Sequence, residues 1–311
     1  MYFARKFARN FAPKLVSHFL FELAAMPELP KNHPGSRVVN GSSTGKPFPY
    51  QLQLKNNDRP WCGAVLISPR FALSAHHCIT EVPNNPKKSL SLVAGAYTSW
   101  DSDEIGQVRN IKDINQLYHQ DGSATQKPQD PDIVIIEVHE AFVMNTYVRP
   151  ACLPTRKALP GETCIVSGWG ITENMHPQEE DFDLQAAKLD VVPSDDVSFC
   201  KKMWKYYSEK YGKSEYVGEH SLCAFDSHSS ACKGDSGGPL VCGTSGGAMI
   251  HGIVSFGNPH CRTRAEDNVF DEFDPYPGVF VDVYHFVDQI KPFIVSIFLK
   301  VYPRDYSIFC F

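Results

Sequence analysis

From residue 38 onward the sequence predicts an all-β fold closed by a C-terminal helix. Two observations carry that prediction. Short apolar runs alternate with Gly, Pro and Asn punctuation through most of the chain. Near residue 283 the hydrophobic period changes to that of a helix. The predicted strands come in order at residues 50–54 (Tyr-Gln-Leu-Gln-Leu), 64–68 (Ala-Val-Leu-Ile-Ser) and 90–94 (Leu-Ser-Leu-Val-Ala). They continue at 133–138 (Ile-Val-Ile-Ile-Glu-Val), 164–167 (Cys-Ile-Val-Ser) and 252–256 (Gly-Ile-Val-Ser-Phe). Each is short, apolar and bounded by turn-forming residues. Val283, Phe286, Val287, Ile290, Ile294 and Ile297 then recur at helical spacing. Pro292 lies among them and is expected to kink or interrupt the helix. Periodicity alone does not separate a sandwich from barrels.

Composition narrows the function classes. The 311 residues are 42% hydrophobic, enough for one large domain or two small ones with real cores. A net charge of −5 argues against nucleic acid as a partner. No apolar run approaches the ~20 residues of a membrane-spanning helix. The ten cysteines contain no Cys-x-x-Cys pair, so a disulfide framework is expected rather than a metal site. No cofactor is expected.

Residues 1–37 read as a signal and propeptide. Arg5, Lys6, Arg9 and Lys14 precede the first acid, Glu22, and the apolar stretch at 15–26 is interrupted by His18 and Glu22. An irregular signal peptide, a transit peptide and a wrongly placed start codon all fit that pattern. The disulfides favour secretion to an oxidising, extracellular compartment. Pro27, Pro30, Pro34 and Gly35 make the last part a cleavable stretch.

Three segments carry the chemistry. Gly234-Asp235-Ser236-Gly237-Gly238-Pro239 offers a serine in a tight, glycine-permitted turn, where neighbouring N–H groups can point at one spot. Ser74-Ala75-His76-His77-Cys78 and Asp130-Pro131-Asp132-Ile133-Val134 lie upstream. Read in chain order they give histidine, aspartate, serine, one of the few orders in which such a triad is laid out. On these motifs the chain resembles the trypsin/chymotrypsin family of serine proteases, over roughly residues 38–290.

The resemblance implies two six-stranded antiparallel β-barrels with the site in the cleft between them. Their bounds are expected near 38–150 and 151–283, with a closing helix at 284–295 and a tail at 296–311. It also implies the roles. His77, immediately before Cys78, is the general base, and His76 stands where the family usually has alanine. Asp132 orients His77, with Asp130 its only competitor, and Ser255 supports Asp132. Ser236 is the nucleophile, and the N–H groups of Gly234 and Ser236 form the oxyanion hole. Arg37-Val38 resembles an activation junction. Cleavage there would free the Val38 ammonium to pair with Asp235.

The family's pairings imply Cys62–Cys78, Cys164–Cys242, Cys200–Cys223 and Cys232–Cys261. Cys152 and Cys310 remain, and a bridge between them would pin the tail. Ser230, six residues before the nucleophile, matches the base of the primary specificity pocket, where aspartate would select Arg or Lys. With Gly257 and Gly278 in its walls, an open neutral slot for large apolar side chains is expected. Two inserts qualify this. Residues 262–274 carry Glu266, Asp267, Asp271, Glu272 and Asp274 and border the pocket; an inward acid there would give trypsin-like selectivity. Residues 201–222 could narrow the substrate approach. Ala96 stands where calcium-binding relatives carry glutamate, so no calcium loop is expected. The reading is a secreted serine endopeptidase made as a zymogen. Its partners would be protein or peptide substrates, an activating protease and protein inhibitors. A non-catalytic binding module is the alternative outside enzymes.

Overall fold

The structure is a computed structural model that describes residues 41–99, 106–118, 131–170, 183–192, 197–212, 217–226, 229–244, 247–257 and 276–301. A short strand, β1 (Ser42–Ser43), comes first. Six strands then close the first barrel: β2 (Gln51–Asn56), β3 (Arg59–Ser68), β4 (Phe71–Ser74), β5 (Leu90–Ala94), β6 (Gln107–Gln116) and β7 (Val134–Val138), in the order β2-β3-β4-β7-β6-β5. Six more close the second: β8 (Thr163–Gly168), β9 (Gln185–Val191), β10 (Ser221–Phe225), β11 (Pro239–Thr244), β12 (Gly247–Phe256) and β13 (Gly278–Asp282). Their order is β9-β10-β13-β12-β11-β8, with β8 closing on β9. All pairings between these strands are antiparallel. Closure leaves no open sheet edge within either ring, so apolar side chains fill both interiors.

Each of the six runs read from sequence lies on one of these strands. β4 and β5 are buried along their whole length, and β7 is buried except at Glu137. β1 pairs with β9, so the start of the described chain crosses to the second barrel. One apolar cluster runs from the first barrel through Ile165, Trp169, Val241 and Ile250 of the second to Ile290 and Ile294 of the last helix. A hydrogen bond from Ser167 Oγ to Gln51 Oε1 (2.7 Å) joins the barrels inside this packing.

Among the described residues four helices decorate the barrels: α1 (His77–Thr80), α2 (Pro86–Ser89), α3 (Val197–Tyr211) and α4 (Val287–Val301), the last led by a 3-10 turn at Val283–Phe286. The closing helix therefore differs from the expected 284–295. It starts later and runs through Pro292 to Val301. Proline removes one backbone donor there. Burial of Ile290 and Ile294, with Phe293 edge-on to Phe71 at 5.8 Å, holds the helix on the first barrel across that gap. No helix among the described residues is long and apolar enough to cross a membrane.

Candidate active site

The first barrel presents a histidine and a carboxylate at one end. β4 leads through Ala75 into α1, whose first residue is His77. Cys78 is fully buried and disulfide-bonded to Cys62 on β3, which fixes this turn to the barrel wall. The Trp61 indole N–H donates to the Cys78 carbonyl (2.8 Å) and fixes it further. Asp132 lies two residues before β7, which pairs with β4 through Ser74 and Val134. That pairing brings the carboxylate to the histidine. Asp132 Oδ2 lies 2.7 Å from His77 Nδ1, and Oδ1 accepts the His77 backbone N–H at 2.8 Å. Because an ionised carboxylate only accepts, the proton of the neutral ring sits on Nδ1 and the basic lone pair on Nε2.

The second barrel completes this chain. Ser255, on β12, donates its hydroxyl to Asp132 Oδ2 at 2.6 Å. Burial alone would push the Asp132 carboxyl up. The His77 ring bond and charge, the Ser255 hydroxyl and the His77 N–H outweigh that and hold it below its ordinary value. Asp130 lies outside the described residues.

The Ser236 turn is wedged between the same elements. Its carbonyl accepts the Gly63 N–H of β3 (2.7 Å), next to Cys62. Gly237 donates its N–H to the Val254 carbonyl (2.8 Å), next to Ser255. Gly237 has φ +77°, and a Cβ there would overlap Ser74 Oγ and the Gly63 carbonyl. Only glycine lets the turn approach the strand that leads to His77. Gly234, with φ +98°, sits against Gly170. Ser236, His77, Asp132 and Ser255 thus converge where the barrels meet.

Asp235 is the electrostatic anomaly of the site. It is fully buried, and its carboxyl accepts the Gly170 N–H (2.8 Å) and the Cys232 N–H (2.9 Å). Burial pushes it up to about 6, against the two N–H bonds that pull it down. A Cβ on Gly168 or Gly170 would overlap the carboxyl, so this niche exists only because both are glycine. The sequence reading missed these two residues. Gly168-Trp169-Gly170 directly after a strand was the available signal. Arg37 and Val38 lie outside the described residues.

Three expected disulfides are present: Cys62–Cys78, Cys164–Cys242 and Cys200–Cys223. Cys152 and Cys232 are also disulfide-bonded. Their expected partners, Cys310 and Cys261, lie outside the described residues. Cys62, Cys78 and His77 group closely enough to suggest a metal, but the disulfide uses both thiols.

Ser230, Gly257 and Gly278, expected at the specificity pocket, all lie among the described residues. Ser230 is buried, and its Oγ meets no hydrogen-bond partner among the described residues. Gly278 abuts the Phe280 ring, where a Cβ would lie 3.0 Å from its edge. A Cβ on Gly257 would lie 2.5 Å from the Ala231 carbonyl oxygen. The missing side chain therefore permits a close approach of the Ala231 backbone to Gly257. Residues 262–274 lie outside the described residues. The 201–222 insert is in large part α3, which packs back onto the second barrel. Trp204 is buried edge-on against Phe256 (4.8 Å), and its indole N–H donates to the Pro277 carbonyl (3.0 Å). Met203 and Tyr207 join it at helical spacing. This aromatic packing braces the strand end that carries Ser255.

Residues 38–290 match the family described as Trypsin. The chain belongs to this family. Among curated proteins it is 30% identical to Trypsin epsilon of Drosophila erecta over 256 residues, covering 82% of this chain and 86% of the relative. It is 28% identical to Coagulation factor IX of Oryctolagus cuniculus over 200 residues, 62% of this chain and 68% of the relative. It is 32% identical to Ovochymase-2 of Mus musculus over 142 residues, 43% of this chain but 22% of that longer protein. As a trypsin-family chain it has serine protease homologues on which a peptidase function rests.

Proposed function

We propose that this trypsin-family chain is a secreted serine endopeptidase, made as a zymogen and acting through an acyl-enzyme on Ser236. The hydrogen-bonded chain Ser255–Asp132–His77, converging on the Ser236 turn, is the observation that carries this reading. In the proposed reaction His77 Nε2 takes the Ser236 proton as Oγ attacks the scissile carbonyl. Asp132 steadies the imidazolium so formed. The N–H groups of Gly234 and Ser236 receive the oxyanion; one such donor contributes a factor of about 10²–10³. His77 then gives the proton to the leaving amine, the ester forms, and water reverses the sequence to release the acid.

Activation follows from Asp235. A buried carboxylate held by two N–H groups among the described residues is costly, and an ammonium beside it would offset that cost. Cleavage after Arg37 would supply one at Val38, and β1 already anchors Ser42 on the second barrel. Ser230 offers a neutral base, which supports selectivity for large apolar residues before the cut. The Cys152–Cys310 bridge completes the proposal, since residues 1–37 contain no cysteine for Cys152.

One experiment tests the whole. Protein cleaved at Arg37–Val38 is offered a peptide library varied at the residue before the cut, with Ser236→Ala as control. Cleavage after Phe, Tyr or Leu, absent in the control, is expected. Cleavage after Arg or Lys would move specificity to the acidic insert. If a serine-directed covalent inhibitor fails to label Ser236 and no peptide is cut, the binding-module reading replaces the enzyme.

A further inference from the structure

Tyr97 follows β5 of the first barrel, yet its hydrogen bonds run to the second. Its carbonyl accepts two N–H groups, that of the Leu184 backbone (2.6 Å) and that of the Trp169 indole (3.1 Å). Both lone pairs of the oxygen are then in use. Its hydroxyl lies 2.7 Å from Ser43 Oγ, on β1. Ser43 has one proton and gives it to Asp183 Oδ2 at 3.2 Å, so the Tyr97 hydroxyl donates to Ser43. An antiparallel bridge between Thr98 and Asp183 and the Thr44 N–H on the Leu184 carbonyl (3.0 Å) close the same junction. One half-buried tyrosine thus holds β1 through its side chain and Trp169 through its backbone.

Both ends of that link bear on Asp235. Trp169 is buried between Gly168 and Gly170, the two glycines that wall the Asp235 carboxyl. The Gly170 N–H is itself a donor to that carboxyl. At the other end, Val38 precedes β1 by only a few residues.

We propose that Tyr97 is a positioning residue for activation, tying β1, which leads in from the new amino terminus, to the glycine wall of the Asp235 niche. The proposal rests on the activation reading given above. A tether that already holds β1 reduces the conformational entropy lost when the terminus docks, so the docked state is more populated. Burial, opposed by the Ser43 bond and helped by Asp183, raises the Tyr97 hydroxyl above its ordinary value, so it stays a donor through the neutral range. Tyr97→Phe removes the hydroxyl and leaves the carbonyl, and with it the Trp169 bond, in place. Only the tie to β1 is cut. Loss of one neutral hydrogen bond shifts such an equilibrium by roughly 2- to 10-fold.

The test uses the full chain cleaved at Arg37–Val38 and carrying Ser236→Ala, with Tyr97 retained or replaced by Phe. Cyanate carbamylates a free amine, and a docked ammonium is shielded from it. Carbamylation of the Val38 amine, followed by mass spectrometry, is expected to run roughly 2- to 10-fold faster in Tyr97→Phe. Ser43→Ala should also accelerate it, and adding Tyr97→Phe to that variant should change nothing more, because the bond is already gone. In processed protein with Ser236 intact, weaker docking returns the ammonium toward its ordinary value. The alkaline limb of kcat/KM should therefore move down by roughly 0.3–1 pH unit in Tyr97→Phe, the same factor on a logarithmic scale. A terminus equally protected in every variant overturns the proposal, as does a lower thermal midpoint with an unchanged carbamylation rate. A native terminus that reacts as fast as a free peptide refutes the activation reading itself, and the proposal with it. Protection that Tyr97→Phe loosens, in a protein that cuts no peptide, keeps the link and refutes the peptidase reading instead.

Discussion

The two barrels bring their catalytic candidates to the cleft in different states of readiness. The first barrel delivers His77 and Asp132 already joined by two hydrogen bonds, with the histidine turn stapled by Cys62–Cys78. The buried charge of Asp132 has a full set of partners, and its carboxyl sits low. The second barrel delivers Ser236 on a turn that depends on glycines at 168, 170, 234 and 237 and on a buried Asp235 whose carboxyl sits high. One half is self-sufficient. The other is built around a charge that calls for a cation from elsewhere. The same residue type is thus partly buried and paired with a histidine on one side, and fully buried on two backbone N–H groups on the other.

Four experiments would break or sharpen that contrast. Asp132→Asn removes the acceptor that sets the His77 tautomer, and kcat should fall about 10⁴-fold with little change in stability. An equal fall in thermal midpoint would show that the first barrel is less self-sufficient than argued. Gly170→Ala puts a methyl into the Asp235 carboxyl, which must move together with the Ser236 turn. Loss of roughly 10²-fold in kcat is expected, since the oxyanion donors shift with it, while inhibitor-free crystals should show the His77–Asp132 bond unchanged.

The third experiment reads the charge itself. A carboxyl at about 6 when folded, against an ordinary 3.8, binds protons more tightly in the native state. Stability is then lost as pH rises from 4 to 7, by about 3 kcal/mol. Urea unfolding of the unprocessed chain should show this slope, and Asp235→Asn should abolish it. Processing at Arg37 should flatten it too, because the new ammonium pairs with the carboxylate. A slope indifferent to both changes would remove that contrast. Ser255→Ala carries the smallest effect: one hydrogen bond of 2.6 Å to a charged group is lost, for about tenfold in kcat/KM. The Asp132 carboxyl should rise as that donor goes, detectable as a shift of its carbon resonance in an acid titration.

Strand positions were legible because strands need local alternation and nearby turn residues, and both are written in short windows. The run at 133–138 and the strand at Val134–Val138 coincide for this reason. The candidate triad was legible because glycine, histidine and aspartate stand in compact motifs. Less legible was α3: its buried Cys200, Met203, Trp204 and Tyr207 have helical spacing, yet the segment reads only as an insert that could narrow the substrate approach. The continuity of α4 through Pro292 was not legible because proline is a local signal, and the packing of Phe293 and Ile294 that overrides it is not.

By itself the sequence determined the β character and marked the candidate residues through their type and spacing, and its resemblance to the trypsin/chymotrypsin family implied the three bridges found among the described residues. Tertiary structure alone decided that Gln51 is buried to bond Ser167 across the barrels, and that Gly168 and Gly170 form the niche for Asp235. It also decided that the Ala231 backbone approaches Gly257 closely. The reason is physical. A missing Cβ reads the same in sequence whether the space it leaves is empty or filled, and only the approach of a distant segment determines which.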